Sequence, residues 1–100
     1  MNNHRKEIPM LFVSMMTFVA PGVSPRDIIA RRAQWKHPEG VKPIAEYWLQ
    51  GKPDVICVFE ADNIAPIMAA TVAWGDVASI TVLPAITAEE GLKLASQMTA

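Results

Sequence analysis

Residues 54–84, DVICVFEADNIAPIMAATVAWGDVASITVLP, read as strand, helix, strand. The two apolar runs, 55–59 and 80–83, are short and rich in β-branched residues, which suits extended chain buried on both sides. Between them Ile64, Ile67, Met68, Thr71 and Val72 fall at the i, i+3, i+4, i+7, i+8 spacing of a helix, and they are expected to face the core. Asp62 or Asn63 supplies an N-terminal cap, and Pro66 is tolerated because it falls in the first turn, where its missing N–H would have had no intrahelical partner. Gly75 ends the helix after Trp74.

Upstream, the same pattern recurs. MLFVSMMTF, residues 10–18, mixes β-branched, aromatic and Met side chains before a turn-forming APGVSP and reads as a strand. Ser24 then caps a helix, with Pro25 at its first position and Asp27 placing negative charge in its first turn. The helix runs to about residue 35 or 36, with Ile28, Ile29, Ala33 and Trp35 on its apolar side and Arg26, Arg31, Arg32 and Gln34 mostly outward. Residues 43–49 form a second strand, joined through the short loop QGKPD to the third. Downstream, residues 77–86 form a fourth strand, and Thr87 with Glu90 makes a capping box that opens a last helix to about Met98.

The order strand, helix, strand, strand, helix, strand, helix is the split βαβ plan of an α+β ferredoxin-like fold with a four-stranded antiparallel sheet. Each crossover helix ends in a Trp, Trp35 or Trp74, so the two halves form a pseudo-repeat. Right-handed crossovers place both helices on one face of the sheet. The bare face should then alternate with polar residues, yet Val55, Cys57 and Phe59 oppose Ile56 and Val58, and Leu11, Val13 and Met15 oppose Met10, Phe12 and Met16. Both faces are apolar, which asks for a second copy of the sheet: a homodimer packed face to face as an α/β barrel.

Composition agrees with a small domain that has apolar surface to cover. The chain has 100 residues, 51% hydrophobic and 19% charged, and a net charge of -1 without basic clusters, which speaks against nucleic acid and anionic membranes as partners. Cys57 is the sole cysteine, so an internal disulfide and a multi-thiolate metal site are excluded and a reducing, cytoplasmic location is expected. The basic patch His4, Arg5, Lys6 before an apolar run imitates a secretory signal, but Phe18 and Pro21 flank the only plausible cut badly, and the run is too short to span a bilayer. Residues 1–9 are expected to be a disordered extension and 10–98 a single domain.

A family resemblance rests on PEG at residues 38–40, Val41, Trp48, F-E-x-D at 59–62, WGDV at 74–77 and SITVLP at 79–84. These resemble an uncharacterised family of the dimeric α/β-barrel superfamily, related to GYD-domain and antibiotic-biosynthesis-monooxygenase-like proteins. The likeness covers roughly residues 10–88, and its motifs are structural. The superfamily also holds haem-degrading enzymes and muconolactone isomerase-like proteins. The resemblance implies a dimer with a pocket between sheet and helices in each subunit, and carries no catalytic residue over.

Polar groups in apolar strands are the candidates for chemistry. With an even register between the second and third strands, Glu46 would face Val58 and Ile44 would face Glu60, so that the two carboxylates share one face with Trp48. Such a pair could raise one pKa for acid–base work, or hold a hard cation; the plainer reading pairs a carboxylate with Arg31 or Arg32. His37 is a favourable charge beyond a helix C-terminus, a pocket acid–base group and so a third catalytic candidate, or a lone haem or metal ligand, for which no second ligand stands at characteristic spacing. Trp35, Tyr47, Trp48, Trp74 and Met68 are candidate ligand-binding residues, with plain core packing as the alternative. No cofactor and no metal site is expected, as there is no Gly-rich phosphate loop, CxxC, HExxH or GxSxG. Three functions fit: a dimer binding a small apolar or aromatic molecule, a cofactor-free monooxygenase or isomerase, and a structural or assembly module without a ligand.

Overall fold

The computed structural model describes residues 9–19, 21 and 23–98, so the extension expected over residues 1–9 lies, apart from Pro9, outside the described residues. The chain forms β1 (Met10–Phe18), α1 (Pro25–Gln34), β2 (Val41–Trp48), β3 (Val55–Ala61), α2 (Ala65–Trp74), β4 (Ala78–Ala85) and α3 (Ala88–Met98). The strands pair antiparallel in the order β2-β3-β1-β4, the ferredoxin-like arrangement. Pro43 and Pro84 both fall on the edge strands β2 and β4, where a missing N–H can face away from the ladder.

The caps of α1 and α3 act as the residue types require. Ser24 Oγ accepts from the Asp27 backbone N–H at 3.1 Å, and Thr87 and Glu90 bond reciprocally at the start of α3. At α2 the N-cap is Ile64, which has no capping side chain, and the expected Asp62 or Asn63 cap is replaced by a turn in which Asn63 Oδ1 accepts from the Ala65 N–H at 2.9 Å. Gly40 turns the chain into β2 at φ +93°, a region that side chains with a Cβ avoid. The β2–β3 loop is closed by the Leu49 N–H donating to Asp54 O, and the Asp54 N–H donates to Met16 O, tying the loop to β1.

Two small hydrophobic clusters hold the helices to the sheet. Phe12, Ala61 and Ile67 meet at one end, with Val41 and Val82 packed against them. Trp74, Val77 and Ala78 meet at the other, with Met16, Trp35 and Ile80 around them. Between the clusters runs the row Glu46–Cys57–Ser14, paired across the sheet. All three side chains are polar or small, and the helices are not drawn down onto them. No large hydrophobic side chain is fully buried among the described residues.

Three expectations about facing need correction. Of the α2 stripe only Ile67 is buried and Thr71 half-buried, whereas Ile64, Met68 and Val72 point outward, Val72 at 80% exposure. α2 is apolar on every side, so its sequence carries no contrast to tell one face from another. Arg31 and Arg32, read as mostly outward, both turn to carboxylates, Arg32 to Glu46 as the plainer reading of that carboxylate had it and Arg31 to Asp76. Thirdly, Tyr47 lies opposite Ile56 on the sheet face away from α1 and α2, where it is 59% exposed. On that same outer face lie Val13, Met15, Val58 and Leu83, all at least partly exposed. Among the described residues no helix is long and apolar enough to cross a membrane.

Candidate functional site

The space between the two core clusters is an open cleft of about 450 Å3, floored by the sheet and walled by α1 and α2. Its size is within the range of small-molecule sites. Trp35, Trp48, Trp74 and Phe59 supply aromatic wall, and Ser14 and Cys57 sit on the floor. Trp35 packs edge-on against Trp74 with ring centroids 5.9 Å apart, so the Trp residues ending the two crossover helices meet at the head of the cleft.

The polar end is built around Glu46. Its carboxylate accepts from Arg32 Nη2 at 2.8 Å and from Arg32 Nε at 3.0 and 3.1 Å, and Trp48 Nε1 donates to its Oε2 at 2.7 Å. This fork geometry is the strong form of a carboxylate–guanidinium pair. The hydrogen bonds from Arg32 hold the Glu46 carboxyl below its usual range and push the guanidinium's own pKa up. Glu46 is therefore an ionised anchor and not a raised acid.

That result corrects the expected carboxylate pair. β2 carries a one-residue irregularity between Pro43 and Ala45, so Ile44 drops out of the register and Glu46 lies opposite Cys57, not Val58. One extra residue reverses which way every later side chain faces. Glu46 consequently enters the cleft, while Glu60 lies opposite Lys42 on the outer side, 3.9 Å from its ammonium.

His37 lines the cleft and stacks edge-on with Phe59, ring centroids 5.7 Å apart. Burial first, and then the neighbouring Arg32 charge, lower its pKa, so the ring is neutral at neutral pH. Trp35 Nε1 donates to His37 Nδ1 at 3.4 Å, which leaves Nε2 as the protonated nitrogen. The ring is set to donate a hydrogen bond rather than to take up a proton. Burial pushes the Cys57 thiol up to about 11, so it is an inert floor group. Lys52 and Asp54 close the far end: Asp54 accepts from Lys52 Nζ at 2.7 Å and from the Phe18 backbone N–H at 2.8 Å.

Of the residues singled out from sequence, Trp35, Trp48, Trp74, His37 and Glu46 come together in the cleft. Tyr47, Met68 and Glu60 do not line it: Tyr47 and Glu60 face the other side of the sheet, and Met68 points outward from α2 at 58% exposure. Arg32, Ser14 and the Lys52–Asp54 pair are cleft residues that sequence reading did not assign there. Arg32 had a usable signal, since it follows Ile28 by four residues and precedes Trp35 by three, placing it on their helical stripe. Among the described residues no set of three His, Cys, Asp or Glu groups is disposed to hold a metal ion.

Fold and cleft together define a class: a small α+β ferredoxin-like domain with an open, aromatic-walled cavity between its sheet and its crossover helices. The chain belongs to the family described as Domain of unknown function (DUF3303), whose model matches residues 10–99. No curated protein and no solved structure matches it significantly.

Proposed function

We propose that the cleft holds a small apolar or aromatic molecule, and that the chain works as a homodimer joined through the outer faces of its sheets. The observation that carries the first part is the row Glu46–Cys57–Ser14, which keeps the two core clusters apart and leaves about 450 Å3 of aromatic-walled space. An apolar cleft with a few convergent polar groups is the usual form of a small-molecule site. His37 supplies a donor there, and Glu46 and Arg32 hold each other and Trp48 in place.

The dimer reading rests on the outer face, where Val13, Met15, Ile56, Val58 and Leu83 form an apolar surface that α1 and α2 do not cover. Four strands of this length span roughly 19 by 25 Å. That is of the order of one partner's share in a small stable interface.

Native mass spectrometry of the purified protein tests the cleft: a small apolar molecule is expected to copurify, or added 9-anthracenemethanol to bind at one per chain. Ala70→Phe, which puts a ring into the cleft from α2, is expected to abolish that binding. Equal binding by both proteins, or by neither, rejects the cleft as a ligand site. Sedimentation equilibrium tests the assembly, and an 11.0 kDa particle at micromolar concentration rejects the dimer.

A further inference from the structure

Every charged group lining the cleft is matched by an opposite charge inside it. Arg32 and Glu46 form a forked pair at one end, and Lys52 and Asp54 an ion pair at 2.7 Å at the other. His37, the remaining basic group there, is neutral, with one nitrogen turned to Trp35. Trp48 adds a third donor to Glu46 and the Phe18 N–H a second to Asp54, so neither carboxylate is short of partners. A charged ligand entering this space would have to shed water without finding an unpaired counter-charge, which is the costly case for burying an ion.

We infer that the cleft selects uncharged, flat, mostly apolar molecules and discriminates against both anions and cations of the same shape. This rests on the reading of the cleft as a ligand site and adds the charge class of its occupant. At about 30 Å3 for each water in the liquid, 450 Å3 has room for about 15 waters, hence for a ligand of about as many non-hydrogen atoms. A hydroxyl or carbonyl oxygen on such a molecule can accept from the neutral imidazole of His37.

The test is equilibrium dialysis of the wild-type chain at neutral pH against three probes on one three-ring frame: 9-anthracenemethanol, 9-anthracenecarboxylate and 9-anthracenemethylamine. The alcohol is expected to bind at least about tenfold more tightly than either charged probe. In Glu46→Gln, which leaves the Arg32 charge unpaired, the carboxylate is expected to gain at least about tenfold relative to the alcohol measured on the same variant. A wild-type chain that binds the acid or the amine as tightly as the alcohol overturns the inference and leaves the ligand site standing. A chain that binds none of the three overturns both. The wild-type comparison decides by itself if Glu46→Gln does not fold.

Discussion

Glu46 shows how one residue's role depends on where the register puts it. As a strand carboxylate it had three readings, acid–base group or cation ligand beside Glu60, or ion-pair partner of an Arg, and the forked bond to Arg32 selects the last. Its pH signature follows. The carboxyl is held below its ordinary 4.5 by the Arg32 hydrogen bonds, so its contribution to stability is present above that value and is lost as pH falls through the lower folded one. His37 acts at higher pH and in the same direction. Its folded pKa lies below 6.5, so the unfolded chain binds more protons in that window, and stability drops as pH is lowered from about 6.5 towards the folded value. Urea midpoints of the wild type are therefore expected to fall between about pH 7.5 and about pH 5.5, and His37→Gln to flatten that change. An identical drop in the variant would place its origin elsewhere.

At the scale of elements, boundaries were more legible than faces. Ser24, Pro25, Gly75 and the Thr87–Glu90 box mark helix ends through local chemistry, and those ends stand within one or two residues of their expected places. Facing was harder because it needs contrast around the helix, and α2 has none. α1 misled in another way: Arg31 and Arg32 have the composition of a solvated side, yet Arg31 bonds Asp76 in a fork, lies over the Trp74 ring at 4.5 Å and donates to Ala73 O, so it straps α1 to the end of α2. α1 buries no residue, which leaves it dependent on such contacts and on its cap. Ser24→Ala is expected to cost about 1 kcal/mol, read as a lower urea midpoint with an unchanged slope. No loss would mean that the cap bond to Asp27 contributes nothing to the α1 position.

At the scale of the whole molecule, three apolar surfaces stand uncovered among the described residues: the outer sheet face, the outward side of α2, and α3, whose Leu92, Leu94 and Met98 are all exposed. The outer sheet face is the one on which the proposed dimer is built. Leu83, 47% exposed on edge strand β4 opposite Val13, is its most accessible aliphatic side chain of known register. Leu83→Glu is expected to shift the sedimenting species from dimer to monomer while far-ultraviolet circular dichroism stays the same; a wild-type assembly unaffected by that charge would move the interface to α2 or α3. By itself the sequence determined the element order, the strand pattern apolar on both sides and the ferredoxin-like plan, because caps, turns and periodicity are local properties of neighbouring residues. Only the tertiary structure decided that Glu46 and Glu60 part company, that Arg32 turns inward and that the cleft lies over Ser14 and Cys57. Those depend on a one-residue irregularity in β2 and on cross-strand partners distant along the chain, and a local pattern of residues does not encode such a shift.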